Sequence, residues 1–111
     1  MSKLVSIQIQ PERSPFMDVE AVVAGIRELS NSYTTSLHVT EGQEEARYIN
    51  LIMEAAHPRQ IWEAISNELS IDTGFANAAI VCCQGDHGWD DYLLLHHFDR
   101  TEPLDELNEL V

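Results

Sequence analysis

Two apolar runs separated by a short polar segment limit how this chain can fold more than any other feature of its sequence. The runs are residues 78–83 and 92–97, and the polar segment between them contains two glycines. This pattern predicts a β-hairpin with a short loop. Because neighbouring apolar residues such as Ile80 and Val81 point to opposite faces of a strand, both faces of the hairpin should be at least partly covered. The sequence therefore predicts that this hairpin, residues 78–98, lies at the centre of the core.

The length and composition of the chain favour one soluble domain. The chain has 111 residues, of which 44% are apolar, so that a single domain, 1–111, can bury about two-thirds of the surface exposed in the unfolded state. The apolar runs are too short to cross a bilayer, and the N-terminal residues lack the apolar core of a secretory signal. The adjacent Cys82 and Cys83 cannot bridge each other without severe distortion, which favours free thiols in a reducing compartment. We therefore expect a cytoplasmic protein.

Acidic residues dominate the charge. Asp and Glu number 19 against 6 Lys and Arg, and the formal net charge is −13 at pH 7. Nucleic acids and anionic membranes bind clusters of Lys and Arg, so we expect neither as a partner. Several acids fall in the last quarter of the chain beside a single arginine: Asp86, Asp90, Asp91, Asp99, Glu102, Asp105, Glu106 and Glu109. They form either a solvated surface or an acidic patch that steers the protein onto a basic partner.

Hydrophobic periodicity predicts the elements of the first half of the chain. Alternation over residues 3–10 predicts a half-buried strand. Asp18 is a suitable N-cap for a helix whose apolar stripe ends at Leu29. Alternation over 33–40 and again over 47–55 predicts a pair of strands that form a further hairpin.

Proline and turn residues mark the elements of the second half. Pro58 suits the first position of a helix whose inner side ends at Leu69. Residues 70–77 are predicted to be a loop. After the 78–98 hairpin, Thr101 is a candidate N-cap and Pro103 lies in the first turn of a predicted short C-terminal helix.

The predicted order of elements is β-α-β-β-α-β-β-α. The first six match the split βαβ, or ferredoxin-like, plan, in which two helices lie on one face of an antiparallel sheet. An extra C-terminal strand and a short helix follow. The same elements in another strand order remain an alternative. Because many unrelated activities share this plan, the fold class predicts no function.

The alternation also predicts which side chains lie on the sheet face that the helices leave open. They are Ser6, Gln8, Gln10, Ser36, His38, Thr40, Tyr48, Asn50, Ile52 and Glu54. This face is polar rather than charged, as a plain solvated sheet would be. Open faces of this kind also take a ligand or form an interface.

Five residues in or near the predicted hairpin have side chains that bind metals: Cys82, Cys83, His87, His96 and His97. Zinc ligands are usually paired at short spacing, as in C-x-x-C, and this chain has no such pair. With the shorter of two possible loops, Cys83 faces Tyr92 and lies roughly 13 Å from His96 along the strand. With the longer loop, Cys82 faces His96, which supplies two ligands and still needs two more. We therefore predict no metal site.

The sequence offers little support for catalysis. Cysteines within an apolar run are more often buried, with a disfavoured thiolate, than activated by a histidine. Carboxylate pairs such as Asp90 and Asp91 arise by chance in so acidic a chain. The sequence contains no glycine-rich nucleotide motif, no phosphate loop and no His-Glu-x-x-His. We expect no cofactor, and a binding protein rather than an enzyme.

The first functional hypothesis is a small acidic protein-binding domain, of the inhibitor, antitoxin or immunity type, that docks on a basic partner. Its contact surface would be the hairpin loop, where Trp89 lies beside Asp86, His87, Asp90 and Asp91. A tryptophan at an exposed loop tip is a frequent interface anchor, although it can equally fold back as a lid on the core.

The alternative hypothesis is a homodimer whose open sheet face closes on its twin around a small ligand or substrate. His38, Tyr48 and Asn50, on the outward face of adjacent strands, would supply the polar contacts.

Overall fold

A five-stranded antiparallel sheet with helices on one face forms the framework of the protein. The structure, a computed structural model, describes residues 2–34 and 36–107. The strands are β1 (Lys3–Ile9), β2 (Ser36–Gln43), β3 (Arg47–Ala55), β4 (Ala79–Gly85) and β5 (Gly88–His96). The α-helices of the described ranges are α1 (Val19–Tyr33), α2 (Pro58–Ile71) and α3 (Thr73–Ala76), and a 3₁₀ turn covers Pro11–Arg13. The strand order is β2-β3-β1-β4-β5, and the predicted α+β class is confirmed.

The centre of the sheet is β1, which pairs with β3 on one side and with β4 on the other. Alternate residues of β1, namely Val5, Ile7 and Ile9, are fully buried against the helices. The hairpin of β4 and β5 forms one edge of the sheet, so the prediction that it lies at the centre of the core is wrong. Its apolar residues divide between the two faces: Val81 is fully buried under the helices, whereas Ile80 is half-buried on the open face.

Capping residues determine where α1 begins and ends. Asp18 Oδ1 accepts a hydrogen bond from the Ala21 N–H at 3.1 Å, which confirms the predicted N-cap. The helix continues past its predicted end to Tyr33. It stops where the carbonyl of Ser30 accepts both the N–H and the hydroxyl of Thr34, at 2.9 and 2.8 Å. Hydrogen bonds of this kind satisfy a carbonyl that the last helical turn leaves without a partner.

The second half of the helical layer includes a short helix that the sequence did not predict. As expected, α2 begins at Pro58, and its buried face includes Ile61 and Ile65. Within the predicted loop 70–77, however, α3 forms because Asp72 Oδ1 accepts the Phe75 N–H at 3.1 Å. This turn places the Phe75 ring in the core, where it is 2% exposed.

The C-terminal segment runs beside β5 and is not helical. The predicted helix beginning at Thr101 is wrong over 101–107, and its remainder, 108–111, lies outside the described residues. Asp105 instead pairs with Leu94 of the edge strand: its N–H donates to the Leu94 carbonyl and its Oδ2 accepts the Leu94 N–H, both at 2.8 Å. These bonds satisfy backbone groups that an edge strand leaves open.

The β4–β5 hairpin has a tighter turn than either predicted register. The cross-strand pairs are Val81 with His96, Cys82 with Leu94, Cys83 with Leu93 and Gly85 with Gly88. Cys83 therefore does not face Tyr92, and Cys82 does not face His96, so both predictions were wrong. Gly88 adopts a φ of 72°, a left-handed conformation that allows a tight turn. The ladder has two irregularities, one between Val81 and Cys82 and one between Cys83 and Gly85. They accommodate the residues of β5 that have no partner on β4 when the turn is this short.

None of the helices in the described part of the chain is long and apolar enough to cross a lipid bilayer.

Candidate binding site on the open sheet face

Cross-strand pairing arranges the side chains of the open face in rows. One row runs from β2 to β5 through His38, Ile52, Ser6, Cys82 and Leu94. The adjacent row contains Thr40, Asn50, Gln8 and Ile80. The predicted polar face therefore describes β1 to β3 only. At the β4–β5 end the same face is largely apolar.

A shallow groove of about 590 Å³ lies over this apolar end, and we call it the open-face groove. It is lined by Ser6, Asn50, Ile52, Ile80, Cys82, Trp89, Tyr92, Leu94, His97 and Glu102. Two of its residues remain substantially accessible, because Trp89 is 41% exposed and Tyr92 is 52% exposed. A volume of several hundred Å³ with mostly apolar walls and a few polar groups is typical of binding sites.

Trp89 lies on the wall of this groove and not at a loop tip. The turn of the hairpin consists of Asp86 and His87, and Trp89 belongs to β5. Trp89 and Tyr92 are an odd number of residues apart, yet both line the open-face groove. The irregularity in the ladder between Cys83 and Gly85 accounts for this, since a bulge changes the face on which the following side chains lie.

Most of the other residues of the predicted contact surface bind one another or a neighbouring strand. Asp91 accepts the His87 N–H at 2.8 Å and contacts the His87 ring at 3.1 Å. The backbone N–H of His87 is the main cause of the lowered pKa of Asp91. Asp86 lies 3.7 Å from the Lys3 ammonium, and because its side chain is 84% exposed to water the pair contributes little to stability. The structure therefore assigns the His87–Asp91 pair to closing the turn, while Asp90 is exposed.

Two exposed carboxylates are available to a partner, that of Glu102 on the groove lining and that of Asp90 on β5. Within residues 2–34 and 36–107, Asp90 and Glu102 have no hydrogen bond or ion pair through their carboxylates. Glu102 follows a turn in which Asp99 accepts the N–H and hydroxyl of Thr101, at 3.0 and 2.7 Å. The Thr101 N–H is the main cause of the lowered pKa of Asp99. This turn brings Glu102 to the groove on the open face. The helix predicted for this segment gave no indication of that position.

A second, more polar concavity of about 480 Å³ adjoins the open-face groove at Asn50. It is lined by Gln8, Gln10, Arg13, Glu44, Glu45, Ala46, Tyr48 and Asn50. The Tyr48 ring lies directly over Gly42 on the neighbouring strand, a space that any β-carbon at position 42 would occupy. Of the alternative ligand set, the structure brings Tyr48 and Asn50 to this concavity, whereas His38 is exposed on the edge strand and lines neither concavity.

Arg13 is held in place beside the second concavity. Its Nε–H donates to Gln10 Oε1 at 2.7 Å, and its guanidinium lies 3.7 Å from the centre of the Phe98 ring. A cation over an aromatic face is attracted by the ring quadrupole. The contact ties the segment after β5 to the turn after β1.

The two cysteines are free and occupy different environments. Cys83 is fully buried in the core, and burial raises the pKa of its thiol to about 11. Cys82 is half-buried in the groove, and burial, with Asp105 as a lesser cause, also raises its pKa. Both thiols are therefore protonated near neutral pH, and neither is an activated nucleophile.

The candidate metal ligands do not converge. His96 is buried, and its Nε2–H donates to the Ala76 carbonyl at 2.8 Å. Burial is the main cause of its lowered pKa. His87 is bound to Asp91 at the turn, and His97 lines the groove. Among the residues that the structure describes, no group of three His, Cys, Asp or Glu side chains is placed to hold a metal ion.

Sequence reasoning missed the apolar wall of the open-face groove. Tyr92 and Leu94 were assigned only to an apolar run, and Ile80 was not placed on a face. The available signal was the alternation of β4, because Val81 and Cys83 on one face put Ile80 and Cys82 on the other. Comparisons with models of protein families, with curated proteins and with solved structures gave no match to this chain.

Proposed function

We propose that this chain is a protein-binding domain that docks the open face of its sheet on a basic site of another protein. The observation that carries the proposal is the presence of two exposed aromatic side chains, Trp89 and Tyr92, in one apolar groove. Aromatic side chains dominate binding energy at protein interfaces, where they act as anchors surrounded by weaker contacts. Contiguous apolar surface on a protein is often an interaction site.

The charge of the chain supports a basic partner. The net charge is −13, and the carboxylate of Glu102 lines the groove together with the aromatic anchors and has no partner in the described residues. Complementary charge around an apolar anchor accelerates association and suppresses wrong partners. A small acidic domain of this kind suits an inhibitor, antitoxin or immunity protein that covers a basic site.

A pull-down from extracts of the source cells tests this proposal. The wild-type chain should recover a basic protein, Trp89→Ala should recover much less of it, and Phe16→Ala should recover the wild-type amount. Phe16 is a matched control because it is a fully exposed aromatic residue outside the groove.

The recovered protein should then bind the purified chain directly, with affinity that falls between about 0.1 M and about 1 M salt as the Debye length shortens from about 10 Å to about 3 Å. A partner without a basic surface, or an affinity that ignores salt, contradicts the proposal.

A second candidate function, a homodimer that encloses a small ligand, is favoured by the polar concavity around Tyr48 and Asn50. Arg13, Glu44 and Glu45 would offer charges of both signs to a polar ligand there. The charge of the chain argues against a homodimer, because two copies that each have a net charge of −13 repel one another. Light scattering at low salt separates the candidates, since the homodimer requires twice the monomer mass.

We also infer that the fold follows the ferredoxin-like plan with one added strand. The order β2-β3-β1-β4 with α1 and α2 as the crossovers supports this, because two split βαβ units then share one sheet. The plan leaves one face of the sheet without a helical layer, which is the face proposed to bind.

A further inference from the structure

We propose that the part of the partner that lies on the open face is an amphipathic helix with one apolar and one basic side. This inference rests on the proposed function and adds the form of the bound segment. It follows from where the apolar side chains lie, from the size of the groove and from the charges around it.

The apolar side chains lie on the face of the sheet and not along its edge. Ile52, Cys82 and Leu94 belong to one row that crosses β3, β4 and β5. The backbone groups of β3, β1 and β4 are paired with neighbouring strands on both sides. An extended peptide laid across this face would find no backbone partners there, whereas a helix satisfies its own hydrogen bonds.

The edge beside the groove is partly occupied. At Leu94 the backbone N–H and carbonyl of β5 are both bonded to Asp105, each at 2.8 Å. A peptide that added a strand at this point would have to displace the C-terminal segment. Face binding by a helix leaves these two bonds in place.

The groove matches the length of a short helix. From Ile52 on β3 to Leu94 on β5 the sheet is crossed in three steps between neighbouring strands, which amounts to about 14 Å. A helix of about 10 residues spans the same distance. Apolar residues at positions i, i+3 or i+4, and i+7 would contact Trp89, Tyr92 and Leu94 on one side and Ile80 on the other.

Acidic residues border the groove. Glu102 lines it, and Glu44 and Glu45 line the concavity that adjoins it at Asn50. Lys or Arg side chains that flank the apolar stripe of a helix would be attracted by these carboxylates. The long helices of this chain are poor occupants, because acids outnumber bases in both: α1 carries Glu20 and Glu28 against one arginine, and α2 has the same excess.

Three synthetic peptides of about 14 residues test the inference. The first places Leu at helical spacing and Lys elsewhere, the second has the same composition with Leu and Lys alternating, and the third replaces Lys by Glu in the helical pattern. Calorimetry measures affinity, circular dichroism measures helicity gained on binding, and alkylation of Cys82, a groove residue, measures whether the groove is covered.

We expect the helical Lys peptide to bind, gain helicity and protect Cys82, and the other two peptides to bind about tenfold more weakly or worse. Trp89→Ala should weaken the first peptide by about tenfold or more, while Phe16→Ala should not. Glu102→Gln should weaken it more than Glu28→Gln, a control substitution on α1.

The contrary results distinguish failure of the helix, of the site and of the proposed function. Equal or tighter binding of the alternating peptide overturns the helix and leaves the basic partner standing. Binding without protection of Cys82, or without loss in Trp89→Ala, places the helix elsewhere and overturns the site. Preference for the Glu peptide contradicts the proposed function itself, and absence of binding by all three overturns the helix.

Discussion

At the residue scale, the two tryptophans have different roles. Trp89 lies on an exposed groove wall, whereas Trp62 of α2 packs against the core. We expect Trp89→Ala to cost about 1 kcal/mol or less of folding stability and about 2 kcal/mol or more of partner binding. Trp62→Ala should cost about 2 kcal/mol or more of stability. Melting curves and binding titrations on both variants check this.

The result that contradicts it is a loss of about 3 kcal/mol in the stability of Trp89→Ala together with normal affinity. Trp89 would then be a lid on the fold and not an anchor for a partner.

His96 makes folding stability depend on pH. Burial lowers the pKa of His96 below its usual value of 6.5, and the nearby Arg100 and His97 contribute in the same direction. The unfolded chain therefore binds a proton at a pH where the folded chain does not. The contribution of neutral His96 is present above about pH 6.5 and is lost as the pH falls toward the lower folded pKa.

Replacing His96 by Gln tests this pH dependence. Gln keeps an N–H donor for the Ala76 carbonyl, which accepts from His96 at 2.8 Å, but it does not titrate. Urea unfolding at pH 7.5 and pH 5 should show a smaller acid-induced loss of stability in His96→Gln than in the wild type. An identical loss in both proteins would assign the acid sensitivity to other groups.

At the scale of elements, the C-terminal segment depends on one carboxylate. Asp105 accepts the Leu94 N–H at 2.8 Å, so Asp105→Ala should destabilise the protein by about 1 kcal/mol. Asp90→Ala is the matched control, because Asp90 is also an exposed aspartate, on β5 itself, but its carboxylate has no partner in the described residues. It should change stability by less than about 0.5 kcal/mol. Equal losses of stability in Asp105→Ala and Asp90→Ala, measured by urea unfolding, would contradict a stabilising role for the hydrogen bond between Asp105 and Leu94.

Strands and helices with clear periodicity could be predicted from the sequence, whereas elements that depend on distant contacts could not. Alternation placed Val5, Ile7 and Ile9 on the buried face, and local chemistry identified the Asp18 cap. The C-terminal segment, by contrast, has apolar residues at helical spacing, but its backbone pairs with Leu94, which no local pattern records.

Part of the candidate site could likewise be predicted from the sequence, and part of it could not. Tyr48 and Asn50 were placed on the open face because their strands alternate. The position of Trp89 could not be predicted, because it depends on a bulge and on a turn that requires the positive φ of Gly88. An apolar run without alternation, such as 92–97, does not show which of its side chains face solvent.

At the scale of the whole molecule, the sheet has two unlike faces. One carries the core between the strands and α1 and α2, centred on β1, and the other carries a groove whose lining includes the carboxylate of Glu102. Docking of a helix there would complete a third layer around the same sheet, an arrangement in which both faces of the strands are covered. In the proposed complex, the core and the bound helix would therefore lie on opposite sides of the same strands.

The position of β1 in the strand order has a consequence for how the chain folds during synthesis. β1 comes first in sequence but pairs with β4, and Lys3 donates to the Gly85 carbonyl across 82 residues. Pairing over such a distance closes a long loop, and the entropy of closure is lost before the β1–β4 contacts stabilise the chain. Pairing of this kind therefore slows folding. On the ribosome, β2 and β3 can form their hairpin early, but β1 keeps one unpaired edge until β4 emerges. The β1–β4 pairing can be completed only after Cys83 has left the exit tunnel.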